Sequence, residues 1–261
     1  MDDSPEDHRP DFPDVVMKST FPKCDDPAKL PSLASVASSL LPPADAYVFD
    51  IDGTLLNSRD LVHWNAFRRG MIEAYGVDAT IEGIPVHGMT DVSILRAALT
   101  GAGVENGDFE AQLPHAIEVL CREVEQNKGE FRPQICPGVK DLLHTLHGSG
   151  RLLGVASGNL ESVGWHKIAA AGLRQFFSFG SFSDHCESRA GIFRNAMKEA
   201  ERRLGFGACV CFIGDTPADV HAAKEVGAPI VAVATGIFSL DQLKAGYPSV
   251  CITNCFELLS R

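Results

Sequence analysis

Three stretches of this chain place polar groups where apolar runs end. In the first, Ala46-Tyr47-Val48-Phe49-Asp50-Ile51-Asp52-Gly53-Thr54, the run stops abruptly at two carboxylates, a glycine and a threonine. The second run, residues 151–156, ends in Ser157-Gly158-Asn159; the third, 209–213, ends in Gly214-Asp215-Thr216-Pro217-Ala218-Asp219. Asp50, Asp215 and Asp219 together make an oxygen-only set that suits Mg²⁺ with water in its open positions. Two unpaired carboxylates about 4 Å apart repel by roughly 4 kcal/mol at an effective dielectric near 20, and a divalent cation removes that conflict. Two blander readings compete. Asp50 and Asp52 could be solvated turn acids, and Asp215 and Asp219 could simply cap a helix, whose N-terminus favours acids. Recurrence at three run ends weighs against both.

The elements that must position these groups follow from periodicity. Residues 47–49 have the β-branched and aromatic character of a central strand, and Asp52-Gly53 supplies turn chemistry. Further strands are expected at 151–156, 176–182, 209–213, 230–234 and 249–252. Helical spacing marks 61–75, 139–147, 160–171, 188–204, 218–226 and 240–245. This alternation predicts an α/β fold, a Rossmann-like doubly wound parallel sheet. Ligands of such sheets gather outside the carboxyl ends of the strands, where the polar groups fall. Residues 59–132 are helical in pattern, with breaks at 83–88, 101–107 and Pro114, and read as a helical cap inserted after the first strand. The core is then 45–58 and 133–261. Residues 1–44, rich in Pro, Asp and Ser, read as a poorly ordered N-terminal extension with one short helix near 33–41.

A chain of 261 residues can bury a sizeable core. Its formal net charge of −11 argues against nucleic acid and anionic membranes as partners. An acidic chain that handles an anionic substrate needs local cations, from a metal or from placed Lys and Arg. No basic n-region or apolar h-region heads the sequence, so the reading is cytoplasmic. The eight cysteines are scattered and read as mostly reduced thiols. Cys209 and Cys211 share one face of a strand and read as core residues, and no second pair completes a zinc site with Cys251 and Cys255.

In order and content, Asp50-Ile51-Asp52-Gly53-Thr54, the strand-ending Ser157 and Gly214-Asp215-Thr216-Pro217-Ala218-Asp219 resemble the first, second and fourth motifs of the haloacid dehalogenase-like superfamily. The resemblance implies that Asp50 attacks phosphorus to give an aspartyl phosphate. Asp52 would protonate the leaving alcohol and then activate water. It also implies Mg²⁺ held by Asp50, the backbone carbonyl of Asp52, Asp215 and Asp219. Ser157 and the N–H groups of its turn at Gly158 would hold a phosphate oxygen, with Thr54 and Asn159 as further contributors. An acid at position 52 resembles the phosphatases and phosphomutases, whereas the dehalogenase branch lacks it.

The third motif departs from the family, because no lysine stands in Ser183-Asp184-His185-Cys186-Glu187-Ser188-Arg189-Ala190. Arg189 is one replacement, a pattern similar to phosphoglycolate phosphatases. Lys167 is the other, although eight residues beyond Asn159 it lies about 12 Å away along a helix axis. In the insert, His87-Gly88-Met89-Thr90-Asp91 resembles the cap loop of phosphoglycolate-phosphatase-like members, which places His87 and Thr90 at the substrate. Arg68 or Arg69 could meet a second substrate anion. The expected activity is Mg²⁺-dependent hydrolysis of a small phosphorylated metabolite. The alternatives are a phosphomutase and a binding or regulatory protein whose catalysis has lapsed; oligomeric state is not legible.

Overall fold

A computed structural model describes residues 40–58 and 61–259. The expected N-terminal extension and its short helix lie outside these residues, apart from their last few positions. Six parallel strands form the main sheet: β1 (Ala46–Phe49), β4 (Leu152–Ala156), β5 (Phe179–Ser181), β6 (Val210–Gly214), β7 (Ile230–Val233) and β8 (Val250–Ile252). Their spatial order is β5-β4-β1-β6-β7-β8, which puts β1 between the two other strands that end in polar groups. Val48 pairs with Gly154 on one side and Phe212 on the other.

Both faces of β1 are buried, and strand alternation divides its residues between two cores. Tyr47 and Phe49 face one core with Leu142, Leu143 and Leu146 of α4 (Val139–Gly148) and Ile168 of α5 (Glu161–Ala170). Ala46 and Val48 face the other with α6 (Arg189–Leu204) and α7 (Pro217–Val226), where Phe193 stacks on Phe212 at 3.9 Å between ring centroids. Burial of such a side chain stabilises by about 1.5–3 kcal/mol, so the strand that carries Asp50 is anchored from both sides. A short helix, α8 (Leu240–Lys244), covers β7 and β8. The doubly wound parallel α/β fold is therefore as expected, with one shortening: Arg174–Phe176 is a 3₁₀ turn and the aromatic strand is only Phe179–Ser181.

Between β1 and α4 run α1 (Val62–Tyr75), α2 (Asp91–Gly101) and α3 (Asn106–Asn127). The break expected at Pro114 does not occur, since this residue lies inside α3. A proline inside a helix costs about 3 kcal/mol, and here the apolar face of Ala116, Leu120 and Val124, packed against Ala66, Phe67 and Met71 of α1, outweighs it. The same cluster includes Leu160 and Val163 at the start of α5, so the three helices rest on the core directly beside the turn that carries Ser157. The two crossings are tied by a small antiparallel ribbon absent from the sequence reading, β2 (Leu56–Asn57) with β3 (Gln134–Ile135).

Six described cysteines are free thiols, whereas Cys209 is disulfide-bonded and half-buried just before β6, so only Cys211 is the core residue expected of that pair. Among the described residues no helix is long and apolar enough to cross a membrane.

Candidate active site

Because β4, β1 and β6 are neighbours and parallel, their carboxyl ends open into one crevice. Asp50 leaves β1 with its N–H bonded to the Ile213 carbonyl at 2.9 Å, and Ser157 leaves β4 with its N–H bonded to that of Ser181 at 3.0 Å. Oxygens of Asp50, Asp215 and Asp219 lie within 4.8 Å of one another, and all three residues are buried. Two glycines make room for Asp215: a Cβ on Gly53, where φ is +88°, would stand 2.1 Å from its Oδ2, and one on Gly236 would stand 1.8 Å away. The sequence reading missed Gly236, which follows β7 in a stretch that reads only as a turn.

Asp219 joins the cap of its helix to the arginine of the site. Its Oδ2 accepts from the backbone N–H of Thr216 at 3.0 Å and from its hydroxyl at 2.7 Å, capping α7, while its Oδ1 accepts from Nε of Arg189 at 2.8 Å. Arg189 opens α6 behind the N-cap Ser188 and also brings Nη2 to 2.8 Å from Oδ1 of Asp50. That contact pairs the two charges, and Oδ1 of Asp50 is buried with no further donor beside it. Burial first, and then the neighbouring carboxylates, push Asp50 up to about 6 in spite of Arg189 and Asp215 up to about 8. An all-oxygen cluster of three buried carboxylates, with a glycine-lined cradle and more negative charge than Arg189 balances, fits a hard divalent cation such as Mg²⁺.

Removing Arg189 strands that charge. Arg189→Met is expected to lower the unfolding free energy by about 3–5 kcal/mol, read as a shift of the urea midpoint in metal-free buffer.

A second network stands at the mouth of the crevice. Oδ2 of Asp52 meets Nζ of Lys167 at 2.7 Å and Nδ2 of Asn159 at 2.8 Å. Asn159 also accepts from Lys167 at 2.8 Å and donates to Oγ of Ser157 at 2.9 Å. Desolvation alone would raise the Asp52 carboxyl, but the Lys167 charge and these hydrogen bonds hold it below the usual carboxylate range. Arg189 and Lys167 thus both reach the site, one on Asp50 and the other on Asp52. The axial distance did not keep Lys167 away, because long helical side chains lean toward the N-terminus and Asn159 extends to meet it.

Two expected substrate contacts are corrected. Thr54 is fully buried beneath the turn, where its hydroxyl donates to Oδ1 of Asp215 at 3.0 Å, so it supports the acid and does not face the cavity. Thr90 is buried as the N-cap of α2, with its hydroxyl bonded to the Glu187 carbonyl at 3.0 Å. His87 and Gly158 do line the cavity, of about 300 Å³, together with Asp50, Asp52, Ser157 and Asn159. Arg68 and Arg69 do not; they pair with Asp78 and with Glu73 and Glu123 instead.

Contacts invisible in the sequence hold the helices over this cavity. The Asp91 N–H bonds to the Gly158 carbonyl at 2.7 Å, and Oδ2 of Asp91 accepts from the Leu160 N–H at 2.8 Å while standing 3.0 Å from Nε2 of His63. A Cβ on Gly158 would lie 2.4 Å from the Met89 carbonyl oxygen, which shows how closely that loop rests on the Ser157 turn. Farther out, Arg96 forks onto Glu187 with both bonds at 2.8 Å.

Fold and site together define a Rossmann-like α/β hydrolase with a carboxylate-rich centre beneath three helices. Residues 47–233 match the family model described as Haloacid dehalogenase-like hydrolase, and the chain belongs to that family. Within it the chain resembles proteins named phosphatases. It is 29% identical over 226 residues, covering 81% of this chain and 90% of the relative, to a protein of Dickeya dadantii named Probable phosphatase IndB. It is likewise 29% identical over 217 residues, covering 82% and 95%, to Phosphoglycolate phosphatase of Synechococcus elongatus. The fold is shared with a solved predicted phosphatase from Clostridium acetobutylicum, with TM-score 0.61, 17% identity and coverage of 82% and 95%. It is shared too with beta-phosphoglucomutase from Clostridium difficile, with TM-score 0.58, 16% identity and coverage of 82% and 92%.

Proposed function

We propose that this protein is a cytoplasmic, Mg²⁺-dependent phosphatase that hydrolyses a small-molecule phosphomonoester through an aspartyl phosphate on Asp50, with residues 59–132 as its cap. The observation that carries the reading is the buried cluster of Asp50, Asp215 and Asp219 beside an acid, Asp52, that stands at the cavity mouth on Lys167 and Asn159. Asp50 attacks phosphorus while Ser157, Asn159 and the turn at Gly158 orient the phosphoryl oxygens. Asp52 rests ionised beside Lys167. A phosphoryl dianion arriving next to it raises its proton affinity, so that Asp52 takes up a proton from solvent, passes it to the leaving alcohol as the ester P–O bond breaks, and as a carboxylate again withdraws one from the water that attacks the aspartyl phosphate. Asp50, the carbonyl of Asp52 and Asp215 would hold Mg²⁺, with Asp219 completing the charge, and the ion would shield the anionic phosphoryl group from the anionic nucleophile. Contacts of Asp91 with Gly158 and Leu160 would keep the helices closed over the site and exclude bulk water.

The test is release of inorganic phosphate from a panel of phosphomonoesters with and without Mg²⁺. Asp52→Asn is expected to lower kcat/KM by about 10²–10⁴-fold, the usual weight of a general acid–base group. Transfer of labelled phosphate to another position of the substrate, with none released, would replace hydrolysis by a mutase reaction.

A further inference from the structure

The cavity has two unlike halves. Its floor carries the polar groups of the sheet edge, while its roof is formed by Trp64, Phe67, Ile81, Val86, Met89 and Ile94. We propose that the ester this site takes has an uncharged alcohol with an apolar face, and that esters bearing a second anion, such as 2-phosphoglycolate, are rejected. This rests on the phosphatase reading above.

The charges of the helical segment carry the inference. Arg68 forks onto Asp78 with both bonds at 2.7 Å, and Arg69 sits between Glu73 at 3.6 Å and Glu123 at 3.7 Å. Arg96 is shared by Glu187 and Glu110, and Arg122 is bound to Glu73 at 2.7 Å. None of these arginines lines the cavity, and among the described residues Lys167 is the lysine or arginine that does. Lys167 is already engaged with Asp52 and Asn159. Of the two cavity histidines, His63 faces Asp91 at 3.0 Å and His87 stands exposed at the rim. A carboxylate on the alcohol would therefore enter beside Asp52 and Asp91, against an apolar roof with no spare lysine or arginine among the described residues, and would lose hydration that the roof does not replace. An apolar group there loses nothing and gains contact with the indole of Trp64 and the rings and branches around it.

The experiment compares benzyl phosphate with 2-phosphoglycolate, both esters of primary alcohols, by phosphate release at pH 7.5. A kcat/KM ratio of at least ~30 in favour of benzyl phosphate is expected, within the range an apolar pocket can deliver. Trp64→Ala removes a side chain that is 40% exposed, so the core is not emptied, and should narrow that ratio about tenfold. A ratio near or below one, or a ratio unmoved in Trp64→Ala, overturns the inference. Acetyl phosphate offers the roof almost nothing to read and so reports the phosphatase reading by itself. If no phosphate compound is turned over, that reading fails, and binding decides the inference. Benzylphosphonate at least about tenfold tighter than phosphonoacetate in calorimetry upholds it, and equal or reversed affinities overturn it.

Discussion

Asp50→Asn is expected to lower Mg²⁺-dependent phosphate release by about 10⁴-fold or more, because a neutral amide in the same place cannot attack phosphorus. The substitution is nearly isosteric and the position is 5% exposed, so the backbone bond from Asp50 N–H to Ile213 and the packing of β1 should survive. Stability should move in the opposite direction from activity. In the metal-free protein, burial and the nearby Asp219 and Asp52 charges hold Asp50 at about 6, well above the ordinary carboxyl value. Keeping it ionised at pH 7.5 therefore costs the fold on the order of 1–3 kcal/mol, which the amide avoids. Arg189 retains Asp219 as partner in the variant. A thermal melt without divalent cations should accordingly place Asp50→Asn at or above wild type, by several degrees at most. Activity within tenfold of wild type would remove Asp50 from the role of nucleophile. Lost activity with a lower melting point would instead mean that the variant had simply misfolded.

What could be read in the sequence was whatever local chemistry dictates. The run at residues 46–49 is apolar on both sides, so it had to be a central strand, and parallel order around it followed from alternation with helices. Asp50, Asp215 and Asp219 could be brought together because each sits at or just past a strand end, and strand ends of one parallel sheet share an edge. The errors concern groups whose positions depend on how elements are packed. Thr54 lies two residues from Asp52, yet the turn at Gly53 sends it under Asp215, and a spacing rule does not report that direction. Lys167 looked remote when measured along its helix, but the side chain runs back to Asp52. Pro114 reads as a break in any local scheme, and tertiary contact of α3 with α1 overrides it. Gly236 and the Asp91 contacts were invisible for a related reason: a glycine beside a strand and an acid at a helix start carry no mark of the distant residue they meet.

Removing the divalent cation should abolish turnover and also invert the usual pH dependence of stability. Asp50 and Asp215 have folded-state values raised above the unfolded value of 3.8, to about 6 and about 8. Between those limits the native state binds more protons than the unfolded state, so stability falls as pH rises, from about 4 up to about 8. Asp52 has the opposite sign, since its value is lowered in the fold. Its contribution is present above the unfolded value and is lost only as pH falls through the folded one, so it acts below the window in which Asp50 and Asp215 titrate. With EDTA present, the melting temperature is therefore expected to drop between pH 5 and pH 8, by an amount corresponding to a few kcal/mol. Mg²⁺ favours the ionised carboxylates, so the rise in melting temperature it produces should be larger at pH 8 than at pH 5, where protons compete for the same oxygens. Asp215→Asn should flatten the EDTA profile and reduce the response to Mg²⁺, while the doubly hydrogen-bonded Asp219 keeps α7 capped. Scanning calorimetry at the two pH values checks this. An EDTA profile that stays level or rises toward pH 8, with equal Mg²⁺ shifts at both, would mean that the three buried carboxylates are not the cation site.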